Sequence, residues 1–281
     1  TIENAGLVRS EAGSVVLAAG KSVTITSPDA QGVKFEVQAP TDSAVNLGTI
    51  EASSAAAMFA GTLEHSGEIR ATQATVDAGG RVVLVAQKEA IVQSGGVISA
   101  NGGKGGEVTV QSADLTSVAG KIEAKGSASE GGSVQLLGNR VAVQSGASVD
   151  ASGETGGGTI LVGGDYQGRN ADVQNAWRTY VGPDSTLRAD AVASGDGGKV
   201  IVWADDSTRF HGEISARGGA SGGDGGFVET SGKNHLLVSE SHVDTRAPAG
   251  KTGQWLLDPT DIVVANGGLG LPGDANDFGD L

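Results

Sequence analysis

Apolar residues fall along the chain in short bursts, each alternating with polar ones. The commonest burst follows a pair of glycines: Gly79-Gly80-Arg81-Val82-Val83-Leu84, then Gly105-Gly106-Glu107-Val108-Thr109-Val110, Gly131-Gly132-Ser133-Val134-Gln135-Leu136 and Gly157-Gly158-Thr159-Ile160-Leu161-Val162. It returns at Gly197-Gly198-Lys199-Val200-Ile201-Val202 and Gly225-Gly226-Phe227-Val228, and loosely at Gly253-Gln254-Trp255. The second glycines Gly80, Gly106, Gly132 and Gly158 are each 26 residues apart, and the next steps are 40, 28 and 27. A second motif, Gly-x-Ile-x-Ala in its strictest form, alternates with the first and carries Ile50, Ile69, Ile98, Ile122, Val149, Leu187, Ile214 and Val243. Between the two lies a third apolar burst, as in Val141-Ala142-Val143 and Leu236-Leu237-Val238.

Side chains of a strand alternate between its faces, so positions two and four after each glycine pair share one dry face. The same residue class at the same offset in each repeat predicts strands stacked like on like, with coils about 4.8 Å apart. The expected fold is all-β: a right-handed parallel β-helix of about ten coils, three short strands per coil, forming a rod roughly 50 Å long. One structural ladder is expected through Val82, Val108, Val134, Ile160, Val200, Val228 and Trp255, and another through Ile69, Ile98, Ile122, Val149, Leu187 and Ile214. An alanine follows most members of the second ladder, fitting a corner where only a methyl group has room. A β-sandwich would share the alternation but would not need the fixed offset.

Residues 1–265 read as a single β-helix domain and 266–281 as a linker or disordered tail. Two segments break the repeat and are expected as insertions outside the helix, at about 28–47 and 164–183. In the second, Val173, Ala176, Trp177 and Tyr180 fall at i, i+3, i+4 and i+7, which predicts a short amphipathic helix lying on the rod. It is either a lid packing its aromatics on the coil exterior or an aromatic platform for sugars.

Composition narrows the picture. Of 281 residues 47 are glycine, which is too many for a helical bundle because glycine costs about 1 kcal/mol per helical position. Collagen is excluded, since the glycines follow no triplet period and proline numbers only 6. Cysteine is absent, so neither disulfides nor thiol catalysis arises. The net charge of −14 makes nucleic acid and anionic membrane surfaces poor partners. No apolar run approaches the length of a membrane span. The sequence begins at Thr1 without initiator Met or signal peptide, as an interior or processed fragment would.

From Gly163 to Asp261 the chain reads Gly-Gly-Asp-Tyr-Gln-Gly, Val-Gln-Asn-Ala-Trp-Arg-Thr-Tyr-Val-Gly, and Ser-Gly-Asp-Gly-Gly-Lys-Val-Ile-Val-Trp-Ala-Asp-Asp. It continues with Gly-Gly-Phe-Val-Glu-Thr-Ser-Gly and Gln-Trp-Leu-Leu-Asp-Pro-Thr-Asp-Ile, and the run from Trp255 to Ile262 is the most specific part. This resembles the filamentous-haemagglutinin type of two-partner secretion exoprotein, in its branch of high-molecular-weight adhesins. The earlier half, with Ser14-Val15-Val16-Leu17-Ala18-Ala19-Gly20 and Val45-Asn46-Leu47-Gly48, is similar too. The resemblance implies a parallel β-helix secreted to the surface of a Gram-negative cell through an outer-membrane transporter barrel. It implies adhesion, biofilm cohesion or capture of a host-surface or matrix glycan or protein, self-association into fibres in some cases, and no enzymatic activity. The family's secretion domain carries Asn-Pro signatures and this chain has no Asn-Pro pair, which implies a segment after that domain, with transporter contact made through a region absent here.

The densest polar cluster is Trp203-Ala204-Asp205-Asp206-Ser207-Thr208-Arg209-Phe210-His211. Paired carboxylates beside a histidine could serve glycoside hydrolysis. Neighbouring coils carry no carboxylate ladder at that offset, and a turn in which Asp caps backbone amides and pairs with Arg209 accounts for the same residues. The candidate binding residues are therefore Tyr166, Trp177, Tyr180, Asp205, Asp206 and Arg209. The loops between the alanines and the glycine pairs, such as 190–197 and 217–225, are a further place for ligand contact. Asp258-Pro259 signals a turn. The acidic run 274–280 lacks the ligands of a calcium loop. No cofactor, phosphate cradle or metal spacing is expected. The functional reading is a non-catalytic adhesin or matrix rod; the alternatives are a polysaccharide or host-protein receptor segment and a β-helical glycan-cleaving enzyme.

Overall fold

The computed structural model describes residues 1–20, 22–29, 32–38, 42–72 and 79–260. The expected tail at 266–281 lies outside them. The described chain winds as a parallel β-helix in which each coil contributes a strand to three parallel ladders, with nine strands in each ladder among the described residues. The first ladder runs through Val15–Ala18, Ala55–His65, Arg81–Val92, Glu107–Ser112, Ser133–Leu137, Thr159–Val162, Lys199–Ala204, Phe227–Gly232 and Gln254–Leu256. The second ends with Leu115–Val118, Arg140–Val143, Arg178–Val181, Ser207–Phe210 and His235–Val238. The third runs from Leu7–Ser10 to His242–Asp244. Ala55–His65 and Arg81–Val92 pass through the corner between the first and second ladders without a break, with a bulge between Ala86 and Glu89.

Register follows the repeat. Val82, Val108, Val134, Ile160, Val200, Val228 and Trp255 are successive Cα partners, and all but Trp255 are fully buried or nearly so. Trp255, on the last described strand of its ladder, is 40% exposed, and its Nε1 donates to Thr230 Oγ1 at 2.9 Å. Ile69, Ile98, Ile122, Val149, Leu187 and Ile214 pair likewise in the third ladder. The alanines after them are buried beside the glycine pairs, and each corner closes within its coil: Gly106 N–H donates to Ala100 O and Gly132 N–H to Ala124 O. A Cβ on Gly106 would overlap the carbonyl oxygen of Gly80 one coil below, so these corners stack backbone on backbone.

The second ladder holds a feature the alternation does not announce. Asn4, Asn46 and His65 stand in register inside the helix, followed by Val92, Val118, Val143, Val181, Phe210 and Val238. Asn4 Nδ2 donates to Asn46 Oδ1 at 2.8 Å, while the His65 ring meets Asn46 Nδ2 and Val97 O, each at 3.1 Å. Burial holds His65 below its ordinary pKa, and as a neutral ring it donates from Nε2 and accepts at Nδ1.

Two expectations about the insertions change. An antiparallel hairpin of Ser22–Asp29 and Gly32–Gln38 leaves the helix, but Ser43–Asn46, inside the expected range 28–47, is a rung of the second ladder. The second insertion ends at Trp177, and no helix forms over 173–180. Arg178–Val181, which includes Tyr180, is the rung between Arg140–Val143 and Ser207–Phe210. Two flanking strands offer this segment a full set of parallel backbone hydrogen bonds, which outweighs a local helical pattern. The helix described within the insertion is the 3₁₀ turn Tyr166–Gly168. Both insertions leave at the same corner, between the first and second ladders, where other coils make a tight turn such as Gly138-Asn139 or Asp205-Asp206.

Val134→Asp would place an unpaired charge between Val108 and Ile160 in a fully buried row. It is expected to cost about 4 kcal/mol or more, read as a large fall in the unfolding midpoint by circular dichroism.

Candidate binding surface

Residues 163–177 form a strap over the outer face of the first ladder. Outward positions on this ladder are Glu107, Thr109, Ser133 and Gln135 in the two preceding coils, but Leu161, Ile201, Trp203 and Phe227 under the strap. Leu161, Ile201 and Trp203 form a second buried apolar cluster outside the helical core, with Val173 and Phe227 packed against it. Gly163, with φ +76°, starts the strap in a conformation that disfavours a side chain.

Polar groups tie the strap down. Asp165 caps Tyr166 N–H at 2.7 Å and accepts from Lys199 Nζ at 2.9 Å and Asn170 Nδ2 at 2.9 Å. Burial opposes ionisation of Asp165, but these hydrogen bonds and the charge of Lys199 prevail and hold its carboxyl below the usual range. Asn175 Nδ2 bridges Gly168 O at 2.9 Å and Asp205 Oδ1 at 3.1 Å, and Trp203 Nε1 donates to the same Asp205 oxygen at 3.0 Å. Gln167 reaches across two coils: its backbone N–H donates to Glu229 Oε2 at 3.1 Å and its side chain to Asp258 Oδ2 at 2.6 Å. Glu229 is fully buried, and its Oε1 has no hydrogen-bond partner.

The six candidate residues do not converge. Tyr166 is 44% exposed and meets the edge of Phe227, with ring centroids 5.7 Å apart. Tyr180 faces outward from the second ladder beside His211, with centroids 6.0 Å apart. Trp177, 50% exposed, occupies the corner between them, where its carbonyl accepts Asp206 N–H at 3.0 Å. A continuous aromatic platform is therefore not formed by these three. Asp205 holds the strap, and Asp206 takes an ion pair from Arg178 at 3.4 Å and a hydrogen bond from Asn234 at 3.2 Å. Arg209 lies in register with Tyr180 and Leu237. His211 stands beyond Ser207–Phe210, five residues along an extended strand or about 16 Å from Asp206, which is too far for the acid–base pairing of a hydrolase.

A groove of about 460 Å³ opens beside the strap, lined by Gln167, Arg169, Trp203, Asp205, Lys233 and Thr260 among others. A second, of about 650 Å³, runs along the glycine corners and includes Asp196, Asp224, Phe227 and Lys251. Among the described residues no group of three or more His, Cys, Asp or Glu is arranged to hold a metal ion. Sequence reasoning missed Glu229 and Gln167. Their signal was faint: a Glu interrupting the Leu161–Ile201 row, legible only once the register was known.

Asp205→Ala would remove the shared acceptor of Trp203 and Asn175. Loss of these bonds, worth about 1–3 kcal/mol locally, is expected to loosen the strap while leaving the coils folded. Faster trypsin cleavage after the exposed Arg169, with unchanged circular dichroism, is the expected readout.

No protein-family model and no curated protein matches the chain. The crystal structure of the HMW1 secretion domain from Haemophilus influenzae is similar to it, at 29% identity and a TM-score of 0.59 over 92% of this chain. The chain spans 60% of the length of that secretion-domain chain. The likeness falls on a secretion domain, whereas the missing Asn-Pro signature implied a segment after one. In both fold and sequence, the chain is similar to the secretion domain of HMW1.

Proposed function

We propose that the chain is part of a secreted or surface-exposed attachment protein of a Gram-negative bacterium and acts as a non-catalytic β-helical rod. The observation that carries this reading is the likeness to the HMW1 secretion domain along nearly the whole chain. On this reading the protein leaves the cell by two-partner secretion, through an outer-membrane transporter barrel, and folds by adding coil to coil. Local pairing suits that route, because each strand finds its partner one turn away and no distant segment is needed. The rod then carries host-surface or matrix contacts away from the cell.

A second reading, direct capture of a polysaccharide by the rod, is supported by the open groove along the glycine corners, where Phe227 offers a ring and Asp196 and Asp224 offer acceptors. An enzymatic reading gains nothing from Asp205 and Asp206, whose oxygens already hold Trp203, Asn175, Arg178 and Asn234.

The attachment reading is tested with beads coated with the protein and washed over cultured epithelial monolayers. Several-fold more retained beads than with an albumin coat is expected; equal retention overturns it. Release of new reducing ends from a polysaccharide panel would overturn the non-catalytic part.

A further inference from the structure

Glu229 is the one position in its outward row where a carboxyl replaces an aliphatic side chain. Leu161, Ile201 and Glu229 are successive Cα partners, and all three are buried under or beside the strap. A charge here has little to offset it. Oε2 accepts the Gln167 amide and the Ser231 hydroxyl lies beside the carboxyl, but Oε1 accepts nothing. The charged and titratable groups around it are mostly of its own sign. From the strap comes Asp165, and from the segment after Gln254–Leu256 comes Asp258. Lys199, on the adjacent strand, is held by Asp165 at 2.9 Å. Arg169 and Lys233 line the solvent-open groove beyond Gln167 rather than the space beneath it, and both are exposed.

We propose that Glu229 is a proton-dependent latch: as the neutral acid it lets the strap 163–177 close over the Leu161–Ile201–Trp203 row, and its ionisation releases the strap. The strap is suited to such movement. Its ends are fixed by backbone hydrogen bonds, but residues 164–175 are joined to the coils only through hydrogen bonds that involve a side chain; it begins at Gly163 and Gly164 with φ of +76° and +155°, and no ladder rung lies within it. Its Gln167 donates at once to Glu229 and to Asp258, so both acceptors act on one residue. Ionised Glu229 would strengthen the Gln167 bond, but the second oxygen would remain buried without a donor, beside two further carboxylates. That buried charge is costlier than the improved bonds from Gln167 and Ser231 are favourable.

Burial, seconded by Asp258 and Asp165, pushes the Glu229 carboxyl above its ordinary value of 4.5, against the opposing hydrogen bonds from Gln167 and Ser231. The sign follows. A carboxyl whose pKa is raised in the closed form contributes stability that is complete below its ordinary value and lost as pH rises through the raised one. The Glu229 contribution to closure is therefore greatest in mild acid, above the range in which Asp165 protonates, and falls as the pH rises. Opening uncovers Trp203 and its two aliphatic neighbours without unwinding a coil.

Glu229→Gln tests this directly, because the amide keeps the acceptor for Gln167 and cannot ionise. Hydrogen exchange of peptides spanning 163–177 is compared between wild type and E229Q at the same pH, so that intrinsic exchange rates cancel. Equal protection is expected at pH 4, and about tenfold faster exchange in the wild type at pH 8. Equal protection at both pH values, or a variant less protected at pH 8, overturns the latch. The carboxyl resonance of Glu229 in the wild-type protein is an independent measure: a titration midpoint above the ordinary range is expected, and an ordinary midpoint overturns the proposal even if the variant fails to fold.

Discussion

Everything in this molecule depends on one constraint: each coil must lie in backbone contact with the coil below it along three ladders at once. Parallel pairing fixes the spacing at about 4.8 Å, and no side chain can intervene at the glycine corners without pushing two coils apart. The carbonyl of Gly80 already occupies the place that a Cβ on Gly106 would take, and Gly132 stands in the same relation to Gly106. The abundance of glycine is thus a packing requirement rather than a sign of looseness. The dry faces between corners then stack aliphatic on aliphatic, and the core needs no thickness beyond one coil.

The same constraint explains where the chain is free to vary. Ladder strands are bound on both sides, but the corner between the first and second ladders faces solvent, and chain can leave there and return without disturbing register. Both described insertions do so. One builds a hairpin that pairs with itself; the other lies back on the rod and turns the outer face of the first ladder apolar beneath it. The cover in turn permits a buried carboxyl, since Glu229 would be an ordinary surface residue without the strap. Asp205 belongs to the same economy. It sits at a turn that Lys233-Asn234 continues in the next coil, yet it is recruited to hold Trp203 and Asn175.

Polar residues inside the helix follow a different logic. Asn4, Asn46 and His65 form a hydrogen-bonded stack where later coils place valine, and each donor meets an acceptor within the stack or on the backbone. Satisfied in this way, such a stack costs little, and it ties coils together by direction as well as by burial. Three threonines act similarly at the corner: Thr116, Thr179 and Thr208 each bond a carbonyl of the next coil, at Leu137, Trp203 and Ser231.

The repeat itself was legible in the sequence. Period-2 alternation after glycine pairs and a fixed offset of 26 residues determine which residues stack, because only one register keeps every aliphatic on the dry side. From Val82 to Trp255 and from Ile69 to Ile214 the partners could be named from the chain alone. Tertiary structure decided what happens where the repeat is interrupted. The i, i+3, i+4, i+7 pattern at Val173 to Tyr180 is a local signal, and two neighbouring strands overruled it by offering Arg178–Val181 hydrogen bonds from residues nearly forty positions before and thirty after. The surroundings of Asp205 and Glu229 were likewise invisible, because their partners Asn175 and Gln167 come from the strap. Residues brought together by a long-range fold leave no spacing to read, whereas residues brought together by a repeat leave little else.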